Sequence, residues 1–416
     1  MKTRTHSWVV VLTTSLFFFY SFIQMNMFNS INESLVKEFA FSAQQISQLF
    51  SSYFWGNLFL VFPAGVILDR FSPKKLVITT FLSTVILTYC FSLAHNFQFL
   101  WLIRLLIGVC SASCFLSAVK VTSLWFEPKN TGFVISAFIA LATLGGVIAQ
   151  TPLSLLIIKM GWRPAMQLVA LFGFILVLLQ FFLVEDKKTN KDDIQKSKQS
   201  FFTSLKMVLL NSQNWLAGSF TSLLNFPLYI FGGSWGVPFL RQVHNFSIEQ
   251  ATLTTSMIFI GMILGSPFAG YYSDKKQSRK QPMLTGAFWA IVILALIMYL
   301  PKYSFFTGAS LFLVFGFIIG FQVVGYPVIT ESNHAAVAAT ASSIGSILIV
   351  GAGILVSWFG KLLDLGGNKI INGEIIYSSS DFLRANWFVM AGLIIALITA
   401  LLVKETFGGV YQKNAK

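Results

Sequence analysis

Charge is scarce in this chain of 416 residues. Asp, Glu, Lys and Arg together make up 11% of it, against roughly 25% in a soluble globular domain. There are 3 cysteines and 4 histidines, too few for a disulfide-stapled scaffold or a metal cluster. Cys90, Cys110 and Cys114 all fall in apolar runs. Cys110 and Cys114 stand one helical turn apart, poorly placed to bridge, so all three read as buried packing thiols. His6, His95, His244 and His334 lie near loops, which argues against a histidine proton relay. A Gly-rich phosphate loop ending in Lys-Ser or Lys-Thr is absent too, so a pump driven by nucleotide hydrolysis is not expected. No cofactor and no metal are called for.

Apolar residues are abundant. They form 55% of the chain, aromatics 16%, and the mean hydropathy is +0.73. About 20 predominantly apolar residues cross a hydrocarbon core of roughly 30 Å. Twelve such spans are predicted, at 8–30, 44–67, 76–94, 98–123, 131–157, 163–184, 213–240, 250–272, 282–300, 306–331, 339–362 and 383–403. Each must be helical, because an open strand would leave backbone groups unpaired in lipid. Lys2 and Arg4 precede the first run, but it is too long for a signal-peptide core and lacks a small-residue cleavage site. It is kept as a span.

Two polar loops carry one signature: Gly65-Val-Ile-Leu-Asp69-Arg70-Phe-Ser-Pro-Lys74-Lys75 and Gly270-Tyr-Tyr-Ser-Asp274-Lys275-Lys276. A repeated loop between hydrophobic spans implies a duplicated bundle, as in secondary transporters whose halves rock about a central site. The expected division is 1–184 for one six-helix half, 185–212 for a mixed-charge cytoplasmic linker and 213–416 for the other half. Phe201–Leu210 could lie on the membrane as an amphipathic helix, and 364–382 reads as a short hairpin or a disordered excursion.

The net charge of +14 is distributed by side. With the N-terminus inside, cytoplasmic segments hold about twice as many Lys and Arg as the opposite ones, which places both termini in the cytoplasm. The charge is topological, so no nucleic-acid partner is expected. The partners are a lipid bilayer and a small-molecule solute, with protons as the driving ion and a monomer as the unit.

The paired loops resemble the loop 2–3 signature of the major facilitator superfamily and its echo at loop 8–9, although Ser72-Pro73 stands where Gly-Arg is usual. Arg104-Leu-Leu-Ile-Gly108, Gly161-Trp162-Arg163 and Lys404-Glu405-Thr406 resemble further elements of that family. Trp125-Phe126-x-Pro128, Gln150-x-Pro152, Gly232-Gly-x-Trp235-Gly and Ala335-x-x-Ala-Ala-Thr340 are similar to a proteobacterial branch. It includes intraphagosomal amino-acid transporters and is distantly similar to a lysosomal dipeptide carrier. The resemblance implies an all-α membrane fold of twelve helices in two pseudo-symmetric bundles. It also implies alternating access in a bacterial inner membrane, not enzymatic activity, and import of amino acids or small peptides by proton symport. Export of a siderophore or drug is the alternative; Gly145-Gly146 without a following Gly-Pro pair counts against drug export. A nutrient sensor that binds without turnover is the alternative of another class.

Residues follow from both arguments. Gly65 and Gly270 are expected to let helices approach closely. Asp69 would accept helix N–H groups, and Arg70 and Asp274 complete a latch on the inner face. Charges within spans are costly and need a partner or a polar cavity. Arg104 could bind a substrate carboxylate, modulate a proton site or hydrogen-bond backbone carbonyls. Lys120 and Glu331 fall at near-equivalent depth in the two halves, as an ion-paired gate, as holders of a zwitterion, or as interfacial groups. Glu331 is the candidate proton carrier. In this fold helices 1, 4, 7 and 10 line the cavity, so Tyr20, Gln24, Tyr53, Asn225, Tyr229, Trp235 and Tyr326 are expected to face substrate.

Overall fold

The computed structural model describes residues 4–70, 72–126, 128–185, 207–333, 338–366, 369–371 and 374–407. Most of the linker expected at 185–212, and most of its amphipathic end, lie outside these residues.

Among the described residues, the regular structure is helical apart from one hairpin. The first six spans comprise α1 (Arg4–Asn26) and α2 (Phe28–Phe39), α3 (Ala43–Arg70), α4 (Pro73–Ser92), α5 (Phe97–Ser111) and α6 (Cys114–Trp125), α7 (Pro128–Ala149) and α8 (Thr151–Met160), and α9 (Trp162–Leu183). The last six begin with α10 (Ser212–Pro227), a π-helical segment (Leu228–Ser234) and α11 (Gly236–His244). They continue through α12 (Ile248–Lys276), α13 (Lys280–Tyr299), α14 (Phe305–Ile319), a 3₁₀ turn (Gly320–Val324) and α15 (Gly325–Glu331). The chain then runs through α16 (Ala338–Ile354), α17 (Val356–Asp364), β1 (Lys369–Ile371), β2 (Glu374–Ile376) and α18 (Ser379–Leu402). The hairpin β1–β2 pairs Ile370 with Ile375, within the excursion expected at 364–382.

Side-chain caps fix several helix starts. The Asn96 side chain accepts from the N–H of Phe99, and Ser247 and Gln250 cap each other reciprocally at the start of α12. Pro73 stands at the first turn of α4 behind Ser72, where its missing N–H costs nothing.

Among the described residues, ten helices are long and apolar enough to cross a bilayer by themselves. Burial fits a lipid solvent: on α9, Leu171, Ile175, Leu178 and Phe182 form an exposed apolar stripe while Ala165, Val169, Gly173 and Leu176 are buried. An exposed stripe of that size is foreign to a water-soluble helix.

Helix breaks repeat with a period of six. Spans 1, 4 and 5 divide at Met27, at Ala112–Ser113 and at Gln150; spans 7, 10 and 11 divide at the π segment, at the 3₁₀ turn and at Leu355. The other six spans run unbroken. Irregular backbone at membrane depth is tolerated only inside protein or along a cavity. The breaks therefore mark the spans that line the space between the halves.

Two opposite ends of the molecule can now be distinguished. The Glu33 face carries the turns at 40–42, 93–96, 245–247 and 300–304; the Glu331 face carries those at 277–279 and 332–333. Among the described residues, hydrogen bonds between the halves cluster toward the Glu33 face. There Asp364 accepts from the N–H groups of Ala43 (3.1 Å) and Gln44 (2.8 Å), capping α3 from the other half. Ser51 and Ser357 meet at 3.0 Å, and Arg241 pairs with Glu33. The halves are closed on this side.

Close packing fixes which glycines matter. A methyl group at Gly261 or Gly265 of α12 would strike the carbonyls of Leu313 or Phe317 on α14. At Gly270 it would meet open space. The close approach expected at Gly270 is therefore made earlier in the same helix, at Gly265 and Gly261, where α12 and α14 cross.

Candidate functional site

Three motifs noted in the sequence are explained by contacts at the two faces. Trp162 and Arg163 open α9 and both reach Glu38, at 2.7 and 2.5 Å, while Arg163 also donates to the carbonyl of Ser92 at 2.7 Å. This ties the end of span 1 to the junction between spans 3 and 4. Burial disfavours charge on Glu38, but the bonds from Arg163 and Trp162 outweigh it and hold the carboxyl below its ordinary range. At the Glu331 face, Glu405 accepts the N–H groups of Arg279 (2.8 Å) and Lys280 (3.3 Å), plus the Ser278 hydroxyl. A carboxylate at the start of α13 is favoured there by the helix dipole. Burial opposes that charge, and these hydrogen bonds again prevail, so the Glu405 carboxyl titrates below its usual value.

The same face holds Glu331. Arg279 bonds it through Nη2 at 2.8 Å and Nε at 3.2 Å, and Thr406 donates to it at 2.9 Å. Arg279 reaches Asp274 as well, at 2.7 Å. Burial lowers the Arg279 guanidinium's affinity for its proton, but its two carboxylate partners more than restore it, and the group stays charged. Glu331 thus finds its ion pair within its own half. Lys120, on α6, is half-buried. Gly65, Asp69 and Arg70 lie in the last turns of α3, and their side chains are outside the described set.

The middle of the molecule is dominated by Arg104. It is 0% exposed, and its guanidinium lies between the rings of Phe28 and Tyr53, at 5.0 and 5.1 Å. Nη1 donates to the carbonyl of Gln24 at 2.9 Å, freed where span 1 breaks. Nε and Nη2 have no hydrogen-bond partner among the described residues. Among the described residues no carboxylate pairs with Arg104, although a buried charge without a partner costs several kcal/mol. The Tyr53 hydroxyl has the buried hydroxyls of Ser21 and Ser111 beside it.

Across the interface, Phe54 packs on Tyr229 with ring centroids 4.7 Å apart. Tyr229 belongs to the π segment, and its hydroxyl donates to the carbonyl of Ile349 at 3.3 Å. Asn225 and Tyr326 are its polar neighbours, and Tyr53 is close enough to act on it electrostatically. Arg104, Tyr53, Asn225, Tyr229 and Tyr326 are thereby brought into one buried neighbourhood.

Three expected cavity residues lie elsewhere. Tyr20 packs on Phe81 of α4 (5.2 Å) and against Gly173 of α9, with Thr88 beside its hydroxyl. It faces the inside of the first half. Gln24 stands one turn along on the same face; its amide is buried without a partner. Trp235 donates to Ser47 at 2.9 Å and touches the rings of Tyr377 and Phe359. It belongs to the closure at the Glu33 face. The residues that make that closure, Asn29, Asn32, Glu33 and Asp364, were not singled out from the sequence, because they sit at span ends where polar residues are commonplace.

Comparison with known proteins places this geometry. Residues 14–358 match the Major Facilitator Superfamily. The chain is 21% identical over 406 residues to a probable galactarate/D-glucarate transporter of Escherichia coli (strain K12), covering 89% of this chain and 88% of that one. It is 25% identical over 253 residues to a hexuronate transporter of Bacillus subtilis (strain 168), covering 58% of each. It is 20% identical over 324 residues to a probable sulfoacetate transporter of Cupriavidus necator, covering 74% and 75%. Among solved structures, a bacterial homologue of the lysosomal transporter Spinster, inward-facing and unoccupied, superposes with a TM-score of 0.73 at 17% identity over 96% and 97% of the chains. The nucleoside transporter NupG gives 0.73 at 16% identity over 94% and 98%. With twelve spans and this match over most of its length, the chain belongs to the major facilitator superfamily of membrane transporters.

Proposed function

We propose that the protein carries a small organic solute bearing a carboxylate, and that Arg104 receives that carboxylate. The observation that carries this reading is the buried guanidinium with Nε and Nη2 unpartnered. Two parallel N–H donors match a carboxylate bidentately, and flanking aromatic rings suit a planar guanidinium better than an ammonium. The buried hydroxyls of Tyr53, Ser21 and Ser111 nearby suit a hydroxylated acid. The hexuronate and galactarate/D-glucarate named for two relatives are hydroxylated acids, and the sulfoacetate named for a third carries a carboxylate without hydroxyls. An amino acid or short peptide, the class expected from the sequence, brings the same carboxylate. Its ammonium, however, finds no acidic partner beside Arg104 among the described residues. The bare acid is therefore the reading we favour.

The excess of Lys and Arg supports placing the Glu331 face on the cytoplasmic side, and the bacterial relatives support an inner membrane. With the Glu33 face closed, the structure is then a state shut toward the outside. Uptake of an anion against a negative interior needs a coupled cation, and we take this to be the proton. Glu331 can carry it only in a state where the pair with Arg279 is broken.

The test is ligand-induced thermal stabilisation of the purified protein with four panels: sugar acids, α-amino acids, dipeptides and neutral sugars. Uptake into proteoliposomes with and without a pH gradient follows. Stabilisation by acids and gradient-driven uptake are expected. Stabilisation by neutral sugars alone overturns the reading, amino acids alone return the narrower one, and binding without flux in either direction makes the protein a sensor.

A further inference from the structure

Where span 7 breaks, its backbone is completed by side chains from the other half of the molecule. The sequence there, Gly232-Gly233-Ser-Trp-Gly236-Val-Pro238, cannot carry an unbroken ladder. Pro238 has no N–H to give, and the helix restarts at Gly236 after Trp235 leaves helical geometry (φ −121°, ψ −2°). A helix end leaves its last carbonyls, and the next helix its first N–H groups, without intrahelical partners. Here three amides supply them. Asn29 donates to the carbonyl of Phe231 at 2.8 Å and accepts from the N–H of Val237 at 3.3 Å, standing in for a peptide unit across the break. Gln150 donates to the carbonyl of Gly232 at 2.7 Å, and Asn32 to that of Ser234 at 3.1 Å.

These amides are themselves anchored at breaks in the first half. Asn29 and Asn32 begin α2, just past the break at Met27. Gln150 is the break of span 5; it also donates to the carbonyl of Asn26 at 3.2 Å and accepts from Thr255 of α12 at 3.0 Å. All three are buried, at 2%, 2% and 0% exposure. The breaks of spans 1, 5 and 7 therefore meet at one depth and satisfy one another.

We propose that Asn29, Asn32 and Gln150 form an amide clasp that sets the balance between the closed and open states at the Glu33 face. When the halves part there, the three carbonyls of span 7 lose their partners, so the clasp stabilises the closed state specifically. Tyr229 lies in the same π segment, so a solute that moves Tyr229 acts on the clasp through one turn of backbone. The inference holds whatever solute is carried.

The test reads the gate directly and needs no substrate. Spin labels go on cysteines at the exposed positions Lys159 and Glu249, in the full chain with Cys90, Cys110 and Cys114 replaced by serine. Pulsed dipolar spectroscopy then gives the distance distribution across the closure. Asn29→Ala, Asn32→Ala and Gln150→Ala should each raise the ratio of long to short distances about two- to tenfold, the range expected for the net worth of one hydrogen bond. Thr151→Ala removes a cross-half bond to Ser256 (3.3 Å) that does not touch span 7, and it should change the ratio less. Should the alanine variants not fold, Asn29→Leu and Asn32→Leu keep the side-chain size and remove the amide without adding charge, with the same shift expected. Unchanged distances in folded variants, or an equal shift in Thr151→Ala, would overturn the clasp.

Discussion

Arg279 holds Glu331 by Nη2 and Nε together, at 2.8 and 3.2 Å from the same carboxylate oxygen, and it holds Asp274 by its remaining nitrogen. The pair joins the turn between spans 8 and 9 to the end of span 10. Both side chains are largely covered, at 14% and 21% exposure. Glu331→Gln should therefore destabilise the protein by about 1–3 kcal/mol, as expected for losing a charged hydrogen bond. Thermal unfolding in detergent checks this; an unchanged midpoint would reduce the pair to a surface contact.

That same pairing bears on Lys120. A cycle of Lys120→Ala, Glu331→Ala and the double variant, read by uptake, separates two cases. If the residues meet in another state or hold two ends of one solute, the double is no worse than either single. If Glu331 serves Arg279 and Thr406 alone, the two losses add. The contacts within one half lead us to expect addition.

Asp69 occupies in the first half the position that Asp274 holds in the second. Asp69→Asn should leave folding intact, reduce transport and shift the population toward the state open at the Glu331 face. Distances measured across that face would show it. Unchanged uptake with unchanged distances would leave Asp69 as a topology residue only.

His244 ends α11 and stacks on Tyr303 with centroids 3.8 Å apart, with neither ring nitrogen hydrogen-bonded. Burial, aided by Lys302, pushes its pKa down from 6.5 to about 4. Between those values the unfolded chain binds a proton that the folded one refuses. The stabilisation is therefore complete above about pH 6.5 and is lost as pH falls toward 4. Unfolding midpoints should drop across this window, and His244→Phe should flatten that drop. Equal slopes for both proteins would refute the assignment.

The lipid solvent made the architecture legible. Twelve apolar runs of spanning length and a repeated Asp loop were enough to expect two six-helix sets. Which way each residue points was not legible. On helices such as α1 and α10, apolar residues surround the whole circumference, so no stripe distinguishes the cavity from the bundle interior. Tyr20 and Tyr53 look alike in sequence, yet one turns to Phe81 and the other to Arg104. The breaks were hidden for a related reason. At Met27 the backbone is interrupted without glycine or proline, Arg104 taking the carbonyl of Gln24, and at Gln150 the interruption precedes Pro152 by two residues, with Ser30 taking the carbonyl of Ala149.

Arg104 is the residue on which the transport reading stands. If it only tethers α5 to the broken end of α1, one donor to the carbonyl of Gln24 suffices, and lysine can supply it. If it receives a carboxylate, the planar fork is needed, and lysine loses both the second hydrogen bond and the stacking between Phe28 and Tyr53. Arg104→Lys should then keep the unfolding midpoint close to that of the parent protein while weakening carboxylate binding about 10- to 100-fold, the worth of one charged hydrogen bond. Arg104→Ala should abolish binding. It relieves the cost of an unpaired buried charge but leaves a cavity beside Tyr53, so its stability is the poorer guide. Titration of the stabilising acid against both variants gives the affinities. Parent-like affinity in Arg104→Lys would show that the guanidinium serves the backbone, and the carboxylate would have to be sought among the polar groups around Tyr229.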